Sequence, residues 1–319
     1  MLKKKIAFII GVTGQDGSYL SAFLIKKKYQ VFGFTRNLDK KNLVKLSKIR
    51  VLNKIKLIKY SDSNPIIILK KIKQLKPREI YYFAGQSSVG KSFEYPVEAY
   101  SSNVNLLFQI LDFCKIHAKK INIYNSCSTD CFGDNKKIFC DEETEFNPKS
   151  PYAQSKAFSF WLVKYYRDQF KLKSCNGILS NHESPLRDDS FVLKKIINFA
   201  INPKNYNKNL LLGNTSIFRD WGWAPEYIEA IYKINNAKVK KDYVVGTGRI
   251  SSLEEIIKKI FKNFDIDKKF ILKNNQKLLR SEEIKKIGCK IDKIKNDLNW
   301  KPKISINQMI QKLIKNELY

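Results

Sequence analysis

The chain predicts an α/β fold, a doubly wound parallel sheet with a smaller C-terminal cap. Three observations lead there. Apolar runs of strand length recur through the first half, stretches of helix length separate them, and the first run ends in the turn Gly11-x-x-Gly14-x-x-Gly17. Strand and helix in alternation demand a parallel sheet covered on both faces.

The predicted strands are Ile6 to Ile10, Gln30 to Thr35, Ile55 to Tyr60, Glu79 to Phe83, Ile121 to Ser126 and Ser174 to Leu179. All are short and rich in β-branched or aromatic residues, as strands buried on both faces are. Tyr19 to Lys28, Pro65 to Leu75, Ala99 to His117 and Pro151 to Phe170 supply the covering helices, the last with Ser150 as N-cap and Pro151 in its first turn. Past residue 180 the rhythm loosens and Asn, Lys and single aromatics dominate. Residues 1–180 therefore read as the sheet domain and 181–319 as a substrate-binding region, with segments that interleave.

Composition bounds the function. With 319 residues and 43% hydrophobic content the chain can bury a large core. The Lys-rich start and the run Ile6 to Ile10 resemble a secretory signal, but Gly11 ends the run too soon and no small-residue cleavage site follows. Nor does any apolar run approach the ~20 residues of a membrane span, so the expected compartment is the cytoplasm. The formal charge of +30 is spread along the whole chain rather than gathered into an arm or stripe, which argues against nucleic acid and for compositional drift, with some pull on an anionic substrate. The cysteines, at 114, 127, 131, 140, 175 and 289, show no CxxC spacing, and only His117 and His182 are available to join them. Reduced thiols and no metal site are expected.

A strand, a glycine turn and then an amphipathic helix bring a pyrophosphate onto backbone N–H groups at a helix N-terminus. The glycines admit that approach because a Cβ would block it. This is a Rossmann-type, dinucleotide-binding arrangement. Where an NAD-selective site places an acid, after the second strand, stands Arg36; a guanidinium suits a 2′-phosphate and favours NADP. Asp62, after the third strand, is placed either to meet the adenine edge or to cap the next helix.

Tyr152 and Lys156 lie four apart just inside a helix start, on one face and one turn apart. An ammonium there favours tyrosinate and lowers the phenol from ~10, making a base for a hydroxyl whose carbon gives up hydride. At the carboxyl end of the fifth strand, where open α/β sheets place ligands, Ser128 can hydrogen-bond the reacting oxygen. Asp130 serves there either as a second proton carrier or in an Asx-turn.

These residues resemble the GDP-mannose 4,6-dehydratase family, extended short-chain dehydrogenases/reductases, over nearly the whole chain. The likeness is carried by Gly11 to Leu20, by Gln86-Ser87, Val89 and Ser92-Phe93-Glu94, and by Ser150-Pro151-Tyr152-Ala153. Cys175 to Leu179 and above all Asn181-His182-Glu183-Ser184-Pro185 add to it, as do Leu212-Gly213-Asn214, Arg219-Asp220-Trp221-Gly222, Thr247-Gly248-Arg249 and Trp300-Lys301-Pro302.

The resemblance implies oxidation of a GDP-hexose at C4 by NADP, loss of water across C5 and C6, and return of the hydride to C6. Tyr152 with Lys156 would take the C4 hydroxyl proton, Ser128 would orient that hydroxyl, and Asp130 would take the C5 proton. NADP would be held by Gly11, Thr13, Gly14, Gln15, Asp16 and Gly17 of the turn, by Arg36, Asp62, Ser63, Phe83, Ala84, Gly85 and Ser87, and by Lys156, His182 and Arg187. Ser87, Asn181, Lys195, Arg219, Arg280 and Glu283 would grip the sugar nucleotide. Two of these admit another reading: His182 as a partner for loop carbonyls, and Arg219 as a salt bridge to Asp220. A homodimer or homotetramer is implied, paired through the helix that bears Tyr152.

The match departs at the chemistry. The family has Glu where this chain has Asp130, and Thr-Ser where it has Ser128-Thr129; its paired arginines become Leu186-Arg187, and the basic residue beside Arg36 becomes Asn37. A carboxylate one methylene shorter bears on the elimination step. The alternatives left open are a GDP-sugar 4-keto reductase or epimerase and, from another class, a catalytically silent NADP-binding regulator.

Overall fold

A computed structural model of the chain describes residues 5–61, 64–205, 209–267, 271–272 and 282–319. Its centre is a seven-stranded sheet, parallel throughout, in the order Tyr243–Val245, Ser174–Leu179, Asn122–Ser128, Glu79–Tyr82, Ile6–Ile10, Gln30–Thr35, Lys56–Lys59. Six of these strands fall where the apolar runs predict them. The seventh, Tyr-Val-Val at 243–245, is too short to show a period.

Two cores cover the sheet, one on each face. On one side Ala7, Ile9, Val31 and Tyr81 pack against Leu20 and Leu24 of the helix Gln15–Lys26 and Ile228, Ile231 and Ile234 of the helix Ala224–Asn236. On the other, Phe8, Ile10, Phe34, Ile80 and Tyr82 pack against Ile68 and Ile72 of Ile66–Leu75 and Leu107, Ile110 and Leu111 of Leu106–His117. The edge strand Lys56–Lys59 exposes a lysine at each end, a charge pattern that discourages pairing with a further strand.

The helix expected over Ala99 to His117 is interrupted by a π-helical turn at Ser101–Asn105. The reason is local: Ser102 Oγ accepts from Gln86 N (3.0 Å), and Asn103 Nδ2 donates to Gln86 O (3.1 Å) and Ala99 O (2.8 Å). The wide turn thus aims two polar side chains at the loop after the fourth strand, a usual association of π-bulges with functional sites.

The cap has its own core, built from Ile196, Ile197 and Phe199, Trp221 and Trp223, Ile256, Ile257 and Ile260, and Met309 and Ile310. Beside it lies a small sheet in the order Ser251–Ser252, Phe218–Arg219, Lys286–Cys289, Phe139–Cys140. The layers are not cut at residue 180. Phe139–Cys140 leaves the first half to join the cap's sheet, while Ala224–Asn236 and Tyr243–Val245 return to the main one. Arg167 ties this return in place, donating to both oxygens of Asp242 (2.7 and 2.6 Å), which also accepts from Asn176 N (2.8 Å).

Candidate active site

The order of strands reverses on either side of Ile6–Ile10, opening a crevice beyond its carboxyl end. Gly11 fills that point at φ +88°, where a Cβ would stand 2.8 Å from Ala84 N; on Gly17 a Cβ would stand 2.4 Å from Gly11 O. The turn folds this tightly only with glycine at both positions. Gly14 opens the helix Gln15–Lys26 with no side chain capping it, so its first N–H groups are offered to an anion. Thr13 Oγ1 lies 3.3 Å from Thr35 Oγ1, joining the turn to the end of the second strand. These residues fit a dinucleotide's pyrophosphate.

Beyond the turn a cavity of about 730 Å³ runs from the sheet into the cap, within the range of ligand sites. Asp16, Phe83, Gly85 and Ser87 wall its turn side; Ser128, Asp130, Tyr152 and Lys156 its middle; Asn181, His182, Arg187, Lys195, Arg219 and Glu283 its cap side. Gly11, Thr13, Gly14, Gln15, Gly17 and Ala84 are not among its lining residues. Arg36 is exposed at the end of the second strand, outside the cavity's lining. Asp62, Ser63 and Arg280 lie outside the described residues.

In the middle, Ser128 ends the fifth strand and caps the short turn Thr129–Phe132, its Oγ accepting from Asp130 N (3.2 Å). The serine therefore makes the turn, and the Asp130 carboxylate is left to face the cavity, 3.4 Å from Ser128 Oγ. Tyr152 and Lys156 emerge together from the helix Pro151–Phe170, whose start is fixed by Ser150 Oγ accepting from Ala153 N (3.1 Å). Both are buried. Lys156 Nζ donates to Ser126 O (3.0 Å). Burial raises the Tyr152 phenol above its ordinary value, Asp130 adds to this, and a hydrogen bond with Ser128 opposes it. The direction is thus opposite to the lowering expected from Lys156, whose ammonium, itself shifted down by burial, is turned to the Ser126 carbonyl.

Toward the cap, the Arg219 guanidinium donates to Phe218 O (2.9 Å) and meets Glu283 (3.4 Å), not Asp220. Asp220 turns the other way, accepting from Thr247 N and Oγ1 (2.8 and 2.7 Å) and from Gly248 N (2.9 Å). Lys195 Nζ donates to Leu211 O (2.7 Å), and Arg187 lies over the Phe191 ring (3.8 Å to its centroid), 3.7 Å from Glu183. His182 lines the cavity and has a partner at each ring nitrogen. Its Nδ1 meets Ser180 O (2.7 Å), as a loop-satisfying histidine would, while its Nε2 stands 3.1 Å from each Asp16 oxygen at the cavity wall.

Sequence reasoning missed Ser88, Lys91 and Glu94, which line the cavity from the short helix Val89–Glu94. A signal was present, since they follow Ser87 directly at the carboxyl end of the fourth strand. In a chain so rich in lysine, one more basic residue does not stand out.

A glycine turn at the switch point, with a serine, a tyrosine and a lysine converging beyond the neighbouring strand ends, defines the extended short-chain dehydrogenase/reductase class. Solved structures share this fold. The chain superposes on UDP-glucose 4-epimerase from Thermotoga maritima with a TM-score of 0.85 at 18% identity, covering 98% of each chain. With dTDP-glucose 4,6-dehydratase from Bacillus anthracis the TM-score is 0.83 at 20% identity, over 98% of this chain and 96% of that one. More specifically, the family model described as GDP-mannose 4,6 dehydratase matches residues 8–313, and the chain belongs to that family. GDP-mannose 4,6 dehydratase 1 of Arabidopsis thaliana is 33% identical, over 99% of this chain and 90% of its own length; the Homo sapiens enzyme is 31% identical, over 98% and 91%.

Proposed function

We propose that the chain converts GDP-D-mannose to GDP-4-keto-6-deoxy-D-mannose with loss of one water, a hydro-lyase reaction. The observation that carries this reading is the convergence of Ser128, Asp130, Tyr152 and Lys156 on one cavity in a chain of this family. NADP, held at the glycine turn, would supply a hydride acceptor and donor that is regenerated in each turnover. Support for NADP over NAD is Arg36 in the position where NAD-selective sites carry an acid.

Tyr152 receives the C4 hydroxyl proton. It does so as tyrosinate; burial disfavours that anion, so the step would draw on the positive charge of Lys156, one helical turn away. Ser128 hydrogen-bonds the same oxygen. Once C4 is a carbonyl the C5 hydrogen is acidic, and Asp130 takes it and passes it to the departing C6 hydroxyl, which leaves as water. Arg219, Lys195 and Asn181 grip the nucleotide part of the substrate, the arginine by charge-assisted hydrogen bonds to the diphosphate.

We further propose a homodimer or homotetramer paired through the helix Pro151–Phe170. On its outer face Phe158, Trp161 and Tyr165 are each more than half exposed, spaced along one stripe as an interface requires. Six free buried thiols suit a reducing cytoplasm.

Incubation of the purified protein with GDP-mannose and catalytic NADP⁺ tests the reaction. The expected product is lighter than substrate by one water, formed over many turnovers with no accumulation of absorbance at 340 nm. Stoichiometric consumption of added NADPH on a 4-keto sugar, with no dehydration of GDP-mannose, would instead establish the reductase alternative.

A further inference from the structure

An acid sits in the first turn of the phosphate-binding helix, and that placement poses an electrostatic problem. Asp16 is the second residue of Gln15–Lys26, among the N–H groups that receive the cofactor's pyrophosphate on the reading above. An ionised carboxylate there repels the diphosphate that the helix end attracts.

The structure answers with His182, 166 residues further along the chain. Its Nε2 lies 3.1 Å from both carboxylate oxygens, and the two side chains are only 10% and 17% exposed. The histidine is fixed from three other directions. Ser180 O meets Nδ1 at 2.7 Å, Tyr227 stacks on the ring at 4.8 Å, and Gln15 Nε2 donates to His182 O (3.1 Å) while its Oε1 accepts from Ser184 Oγ (2.7 Å). Imidazole with both nitrogens held by acceptors is the doubly protonated form.

We propose that protonated His182 is a positioning residue that neutralises Asp16 at the head of this helix, so that cofactor affinity follows the ionisation of the pair. The inference rests on the dinucleotide reading of the turn. Tyr19, from the same helix, and Tyr124, from the strand Asn122–Ser128, lie in the field of Asp16. Arg187, from the segment after His182, opposes the imidazolium and supports the carboxylate; Lys156, from the Tyr152 helix, and Lys45, from the helix Lys40–Lys48, lie in the field of Asp16; Tyr227 carries the stacked ring and, through Ser180, leads to Asp220. Burial works against the charge of both partners, yet Asp16 is held at about 2 and His182 above its ordinary 6.5. The sign follows: His182 is fully charged below pH 6.5 and loses its proton as pH rises through the raised value, so affinity is highest at neutral and acidic pH and falls in the alkaline arm.

The test is a set of dissociation constants for NADP⁺ and NAD⁺, measured by calorimetry from pH 6 to 9 on the wild type, His182→Gln, Asp16→Asn and the double variant. Glutamine keeps a hydrogen bond to Asp16 without the charge. The expected result is binding weakened about tenfold by His182→Gln at pH 6.5, a profile that no longer falls at alkaline pH beyond the ligand's own titration, and recovery to within about threefold of wild type in the double variant, where the carboxylate is also gone. Wild-type binding with an unchanged Kd in His182→Gln, or a double variant no better than His182→Gln alone, overturns the inference and leaves the dinucleotide reading standing. Should His182→Gln fail to fold, a wild-type Kd for NAD⁺ flat across pH 6 to 9 overturns it equally. No wild-type binding of either dinucleotide overturns both.

Discussion

At the scale of single residues, Tyr152 carries the heaviest chemical demand. On the proposed mechanism its hydroxyl exchanges a proton with the substrate, and its burial means phenylalanine fits the same space. Tyr152→Phe is therefore expected to leave the melting temperature within about 2 °C and to lower kcat by roughly 10²–10⁴, read by product formation. Asp130 makes a separable claim. Asp130→Asn removes the carboxylate proposed to take the C5 proton, so dehydration is expected to fall by a similar factor while exchange of hydrogen at C4 with the cofactor persists, which single-turnover absorbance at 340 nm detects. These four residues were legible in the sequence because the chemistry imposes short spacings: one helical turn between Tyr152 and Lys156, one residue between Ser128 and Asp130. Their electrostatics were not legible. Spacing predicts that Lys156 depresses the phenol, whereas burial of the whole site does the opposite. Nor does any spacing announce the Asp16–His182 pair, which only the fold brings together.

At the scale of elements, the phosphate turn is held by backbone crowding. A Cβ at Gly17 would come within 2.4 Å of Gly11 O and 2.7 Å of Val12 Cα, both main-chain atoms that cannot swing aside. Gly17→Ala is expected to cost about 1–3 kcal/mol of stability, measured by urea unfolding, and to weaken dinucleotide binding at least tenfold. An unchanged Kd would separate the turn from the cofactor. The strands and the Tyr152 helix were predicted well because two-sided burial leaves continuous apolar runs and because Ser150-Pro151 is a strong start signal. The π-turn at Ser101–Asn105 escaped notice, since it arises from contacts of Ser102 and Asn103 with a loop 16 and 17 residues earlier. The helices Val192–Ala200, Ala224–Asn236 and Leu253–Lys262 lie in the region whose lysines and asparagines blur the period, although Ser252 and Glu255 form a complete capping box there.

At the scale of the molecule, interleaving is what builds the site. One cavity needs the turn and strand ends of the sheet on one wall and Asn181, Arg219 and Glu283 on the other, and the chain achieves this by crossing between layers several times. A sequence read from one end to the other shows a change of texture at residue 180 but not the return of residues 224–245. Among the described residues no helix is long and apolar enough to cross a membrane. The exposed stripe of Phe158, Trp161 and Tyr165 lies on the outer side of the very helix that presents Tyr152, so pairing through it would stiffen the catalytic face. Trp161→Asp, which sets a charge in the middle of that stripe, is expected to shift the protein to monomer in sedimentation, with a lower melting temperature and the fold retained by circular dichroism.

The central claim is that one hydrogen leaves C4 and returns to C6 of the same sugar within this cavity. GDP-mannose carrying deuterium at C4 tests it in a single NMR experiment, with catalytic NADP⁺ in ordinary water. The expected product is a 4-keto-6-deoxy sugar nucleotide with one deuterium on its C6 methyl group and a solvent proton at C5. A product with no deuterium at C6, or recovery of the substrate unchanged while the protein binds NADP, would contradict it.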